Sequence, residues 1–293
     1  MTDSGLTLTS LLYSQQVEKR ILYTGDFRFD DPRTPLGKLP CLQSLHRDGV
    51  PLVLDELYLD TTYCSLTFPA FPARKNAAEK VWEICQRWVR RNGMFKDSNP
   101  HHVVLLELED NSSYETILQM IHHRSLTKWK VHVSDESPSC LSISDWTSTD
   151  PSKAPWIHAC GGRRRRRRSQ SCLPCQRGQF QVCLLSPGAT FFTSNRMAEL
   201  EAAGQDPGIA VSDGGTNYRV CYSNHPSLLE TENFVKYFSP RLITPLALPH
   251  SSGKNQLRDI LASFLVSSQD PDSSGENFEK PNADLNITKL TDR

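Results

Sequence analysis

No stretch of about 18 apolar residues occurs anywhere in the 293-residue chain, so no membrane-crossing helix is expected. The first residues have no basic segment followed by an apolar one, so no secretory signal is expected either. Net charge is absent too. The 33 Lys and Arg balance the 33 Asp and Glu, which removes any global electrostatic preference for a partner. No internal repeat is visible. No histidine precedes His46, although the chain has 9. The 9 cysteines are odd in number and irregular in spacing, unlike a disulfide framework. Reduced thiols in the cytosol or nucleus fit better, some of them on metal. The Asn286-Ile287-Thr288 sequon is then not expected to be used.

What is present is an alternation of short apolar runs and amphipathic segments, which predicts an α/β fold. Strands are expected at 21–25, 56–60, 101–109, 129–133, 155–160, 179–186, 217–223 and 241–248. A helix is predicted over 74–92, with Ala77, Val81, Ile84 and Trp88 on one face and Gly93 as its stop. Capping boxes at Ser112 with Glu115 and at Ser227 with Glu230 open two more helices. Leu257, Ile260, Leu261 and Phe264 mark a last one. The loop 31–53 is rich in Pro, Gly and Leu. Residues 134–154, the arginine run and the tail from 267 read as loose.

Two of the strands end in carboxylates: "ILYTGD" in Asp26 and "ELYLD" in Asp60. Ligands of α/β sheets gather outside the carboxyl ends of strands, where a carboxylate can hold a metal or position a water. Either residue alone also reads as a turn former or helix cap. A second group has metal-ligand chemistry: His132 in "VHV", His158 and Cys160 in "IHAC", and Cys172 and Cys175 in "CLPC". Two histidines and two cysteines make a closed tetrahedral zinc site, though the spacing is unlike a zinc finger. Strand histidines with satisfied hydrogen bonds and core thiols are the alternative. Arg163, Arg164, Arg165, Arg166, Arg167 and Arg168 form an unbroken basic run. Such a run is a solvated loop, a grip on DNA phosphates or a nuclear import signal.

The words "LYTGDFR", "YLDTTYC", "FPARKNAAEKVWEI", "VHV", "WIHAC", "LPC", "YRVCYSNHPS" and "FVKYFSPRLITPLALP" occur in this order over roughly residues 20–266. Together they resemble the metallo-β-lactamase/β-CASP nucleases of DNA repair, of the Artemis type. The resemblance implies a partial metallo-β-lactamase αββα sandwich interrupted by a β-CASP α/β insertion. The expected segments are 1–50 for the first metallo-β-lactamase half, 51–224 for β-CASP, 225–266 for the returning DNA-repair segment, and a disordered tail 267–293. It implies that Asp26 bridges two metal ions, that Asp60 is the first β-CASP motif, and that His225 closes the site. Two such ions would neutralise a scissile phosphate and lower the pKa of a bound water to about 7. It implies a structural zinc on His132, His158, Cys160 and Cys175, with Cys172 as a spare or rival ligand.

The same resemblance implies hydrolysis of phosphodiesters at DNA ends, hairpins or cross-links in the nucleus. Its cofactors are zinc or another divalent ion, and its partners are DNA, a repair kinase and a ligase, with no membrane. The RNA-cleaving branch has a histidine on the strand "LITPLAL", where Ala247 stands here and His250 follows too late. That favours DNA. The family's His-x-His-x-Asp-His cluster lies upstream of "YTGDFR", and the 25 residues before Asp26 do not contain it. An N-terminally incomplete nuclease is therefore expected. A form that binds DNA or protein without cutting, and an RNA-processing relative, are the competing expectations.

Overall fold

A computed structural model describes residues 6–8, 19–29, 35–92, 102–108, 114–133, 145–160, 180–266 and 284–285. Strands β1 (Ile21–Tyr23), β2 (Phe27–Phe29) and β3 (Glu56–Leu59) come first. They are followed by α1 (Arg74–Val89), β4 (His102–Leu106), α2 (Glu115–Arg124), β5 (Val131–His132) and β6 (Thr147–Ser148). Then come β7 (Ile157–His158), β8 (Gln181–Pro187), α3 (Ser194–Ala202), β9 (Ile209–Ser212) and β10 (Asn217–Val220). The last elements used here are α4 (Leu228–Phe238), β11 (Leu242–Pro245) and α5 (Lys254–Val266). The architecture is mixed α/β, as the alternating pattern predicts.

The chain divides into two compact units, one of residues 1–71 with 223–293 and one of residues 72–222. The first has a parallel sheet in the order Asp284–Leu285, β11, β3, β1. Its core gathers Leu22, Leu57, Leu59 and Ile243 from the sheet, Phe234 and Phe238 from α4, and Leu257 and Leu261 from α5. The described part of the loop rich in Pro, Gly and Leu has two 3₁₀ turns, Leu36–Lys38 and Pro40–Leu45, and a short antiparallel pair, His46–Arg47 with Val50–Pro51. The turns place Leu36, Leu39, Leu42 and Leu45 in that core, each buried leucine contributing about 1.5–3 kcal/mol.

The second unit has seven strands in the order β9-β10-β8-β4-β7-β5-β6, parallel except for the β9–β10 pair. Helices α1 and α2 cover it with the residues their periodicity selects: Ala77, Val81, Ile84 and Trp88, and Ile117, Leu118 and Ile121. A 3₁₀ turn, Arg90–Asn92, ends α1, and Gly93 lies outside the described residues.

Three local expectations are corrected. Tyr114 is the N-cap of α2 and makes no side-chain cap; Ser112 lies outside the described residues. Residues 145–154 are ordered rather than loose, because Thr147 is buried, Trp146 packs on the core and β6 pairs with β5. Helix α3, capped by Thr193, was not expected; it buries only Leu200 and so has almost no apolar face to read. The Ser227–Glu230 capping box is present in full. The expected tail from 267 lies outside the described residues except for Asp284–Leu285. No described helix is long and apolar enough to cross a membrane.

Candidate metal centres

Strand β1 ends at Tyr23, and Thr24 joins its end to that of β3. The Thr24 amide donates to the Tyr58 carbonyl at 3.0 Å, and the Asp60 amide donates to Thr24 Oγ1 at 3.1 Å. Gly25 then turns the chain at φ +55°, a conformation that costs other residues more. The two strand ends are thereby fastened with Asp26 and Asp60 side by side. His225 comes from the turn before α4. Ser223 Oγ donates to the His225 carbonyl at 2.8 Å and accepts from its amide at 3.1 Å.

One ligand atom from each of Asp26, Asp60 and His225 lies within 4.8 Å of the others. The three do not play the same part. The Asp60 side chain is 4% exposed and its oxygens are occupied. Oδ1 accepts from the Thr62 amide at 3.0 Å and hydroxyl at 2.6 Å, and Oδ2 accepts from His225 Nδ1 at 2.9 Å. Asp60 thus fixes the tautomer and orientation of the imidazole, as a carboxylate behind a metal-bound histidine does. Asp26 is 62% exposed, and its Oδ1 lies 3.8 Å from His225 Nδ1. The group could hold a divalent ion, with Asp26 and His225 as the candidate ligands and Asp60 orienting the imidazole.

Cys64, beside Asp60, is no nucleophile. Burial, then the charges of Asp60 and Glu232, push its thiol up to about 12. His250 stands apart from the three-residue group; its ring meets that of Tyr63 at 5.1 Å and its amide donates to the Thr62 carbonyl. Pattern reading did not single out Ser65, Ser251 and Ser252. Ser65 Oγ lies 2.8 Å from Ser251 Oγ and accepts from Ser252 Oγ at 2.9 Å. Only the adjacency of Ser251 and Ser252 at the start of α5 hinted at them.

In the other unit, His132 on β5 and His158 on β7 are register partners on adjacent parallel strands. Both are buried, and Cys160 follows two residues later. Each imidazole points Nε2 at a carbonyl, His132 at Thr149 and His158 at Pro155, both at 3.2 Å. A carbonyl only accepts, so both Nε2 carry the proton and both Nδ1 carry lone pairs. Those two Nδ1 atoms face each other at 3.3 Å. Two facing lone pairs in a buried site fit a cation between them, with the carbonyls holding the rings from behind. Cys160 completes a group whose ligand atoms lie within 4.8 Å of one another. The donor set is that of zinc. The other expected ligands, Cys175 and Cys172, lie outside the described residues, as do Arg163 to Arg168.

Residues 141–251 match the family model described as DNA repair metallo-beta-lactamase. The chain is 26% identical to the Artemis protein of Mus musculus over 259 residues, which is 85% of this chain and 33% of that protein. It is 26% identical to Artemis of Homo sapiens over 255 residues, 85% of this chain and 34% of that protein. It is 27% identical to the 5′ exonuclease Apollo of Danio rerio over 238 residues, 79% of this chain and 34% of that protein. The α/β fold and the matched segment support a DNA repair metallo-β-lactamase. Over most of its length the chain is similar to Artemis proteins and to a 5′ exonuclease, Apollo. The chain spans about a third of the length of the curated relatives it matches.

Proposed function

We propose that the chain belongs to a divalent-metal-dependent DNA nuclease acting in double-strand break joining and interstrand cross-link repair. It would hydrolyse phosphodiesters at DNA ends, hairpins or cross-links, as a 5′–3′ exonuclease or an endonuclease. The observation that carries this reading is the convergence of Asp26, Asp60 and His225, from three separated segments, into one group. In this reading unit 72–222 is the β-CASP insertion, and the first unit is the metallo-β-lactamase part on either side of it. A divalent ion held by Asp26 and His225 would supply charge neutralisation for the scissile phosphate and acidify a water. Asp26 contributes the exposed carboxylate. His225 contributes the imidazole, and Asp60 keeps its Nδ1 proton in place. The hydroxyls of Ser65, Ser251 and Ser252 are donors suited to phosphate oxygens.

The zinc on His132, His158, Cys160 and Cys175 is structural in this reading, since its histidines are buried and held from behind. The arginine run adds sequence-independent affinity for DNA. A nuclear location, and work alongside a repair kinase and ligase, follow from the same reading. DNA rather than RNA is favoured by the DNA repair match and by Ala247, apolar, in the bend that follows β11.

The test is cleavage of a labelled hairpin or 5′-phosphorylated duplex by the full-length protein. Asp26→Asn should lower cleavage by about 10³-fold or more while DNA affinity stays within about twofold. Equal cleavage by the variant would remove Asp26 from the chemistry. Binding without cleavage by the unaltered protein would favour a DNA-binding form.

A further inference from the structure

His225 must sit within a few tenths of an ångström of its place if it is to act with Asp26. Yet it lies on a turn, and turns are the more mobile parts of a fold. What holds this turn is buried charge. Arg28 on β2 is 1% exposed and Glu230 on α4 is 4% exposed. Arg28 Nε donates to both carboxylate oxygens of Glu230, at 3.0 and 3.1 Å. An Arg28 terminal nitrogen donates to the Ser223 carbonyl at 2.9 Å. Glu230 Oε2 in turn accepts from the Ser227 amide at 2.9 Å and from its hydroxyl at 2.7 Å. The Arg28 guanidinium also lies 5.4 Å from the Phe71 ring centroid.

The partners are arranged symmetrically in sequence. Ser223 is two residues before His225 and Ser227 is two residues after it. One is pinned by Arg28 directly and the other through Glu230. Arg28 is itself two residues beyond Asp26, on the strand that follows the Asp26 bend. The arginine therefore belongs to the Asp26 segment, and the hydrogen-bond partners just named, Glu230 and Ser223, belong to the His225 segment. Stability gives no account of this choice. Replacing a buried ion pair by apolar residues of similar volume is often neutral or favourable. Apolar packing would glue the two segments, but only directed hydrogen bonds fix their register.

We propose that Arg28, acting through Glu230 and the Ser223 carbonyl, is the positioning residue that sets His225 against Asp26 and Asp60. The inference rests on the metal-site reading of those three residues only for its consequence, not for its geometry. The experiment uses the full chain and three readouts: melting temperature, the ¹⁵N shifts of the His225 ring, and affinity for Mn²⁺. The double variant Arg28→Met with Glu230→Leu keeps the volume and removes both charges. It should melt within about 5 °C of the parent. Its His225 should lose the protonated-Nδ1 signature of the bond to Asp60, and Mn²⁺ affinity should fall about 10–100-fold. A folded double variant with the parental ring shifts overturns the proposal. Should it not fold, Arg28→Lys decides. Lysine keeps the charge beside Glu230 but lacks the fork that also reaches Ser223, so the ring shifts should still move. Parental shifts in Arg28→Lys overturn the proposal equally. If the unaltered chain binds no Mn²⁺, the metal-site reading fails while the ring shifts still decide the role of Arg28.

Discussion

Two imidazoles that each give their only proton to a carbonyl cannot also share one with each other. With both rings neutral, that arrangement at His132 and His158 fits a cation between their Nδ1 atoms. It leads to a residue-scale prediction. Cys160→Ser should lower the zinc content of the purified chain by about one ion and its melting temperature by roughly 5 °C or more, read by elemental analysis and calorimetry. Retained zinc would exclude Cys160 from the ligand set. Residues differ in how far the sequence alone exposes them. Asp26 is singled out in the sequence not by its place at a strand end, where an Asp is commonly a turn former, but by the ordered words around it and around Asp60 and His225. Arg28 is not, because an arginine between two phenylalanines reads as the outward residue of an alternating strand. In the structure all three are buried, and the Arg28 charge is received by Glu230. A partner 202 residues away leaves no local trace.

At the scale of elements, periodicity finds what has a wide apolar face and overlooks what lacks one. Helix α1 is legible from its buried stripe, whereas α3 hides behind a single buried leucine. Strands β5 and β7 are each only two residues, although the apolar runs around them predict longer ones. They pair with each other at His132 and His158, and with their outer neighbours at Val131 and Ile157 as well. Helix α1 is also tied to the turn before β9, where Lys80 Nζ meets Asp206 Oδ1 at 2.6 Å. Partial burial pushes the Asp206 carboxyl up, but hydrogen bonds from Lys80 and the Gly208 amide, with the Lys80 charge, outweigh it and hold it below its ordinary value. A depressed carboxyl stabilises the fold above the unfolded pKa and loses that contribution as pH falls through the folded one. The pair is partly exposed, so Asp206→Asn should cost only about 0.2–1 kcal/mol at pH 7. In melting curves the gap between variant and parent should close as the pH is taken from about 5 towards 3. A gap that stays constant would mean the charge is not what ties the turn.

For the whole molecule, the alternation of strands and helices points to the α/β class, and the ordered words over residues 20–266 point to the family that the comparisons support. Which residues assemble a centre is less accessible, since each centre draws on segments far apart in the chain. The balanced net charge makes the arginine run the natural place to seek DNA affinity. Replacing Arg163 to Arg168 by serine should weaken DNA binding at low salt. It should also flatten the plot of log affinity against log salt by about 0.9 for each DNA phosphate that the run neutralises. An unchanged slope would remove the run from the interface.

The parallel pairing of β11 with β3 joins Ile243 to Leu57. A nascent chain that has reached residue 222 already contains all of the 72–222 unit, but lacks β11, α4, His225 and Glu230. The half of the other unit made first must therefore wait, with one flank of β3 unpaired, while about 170 further residues are synthesised at ~5–20 per second. Asp26 and Asp60 are made well before His225, and the centre they belong to is completed only when the segment from residue 223 arrives.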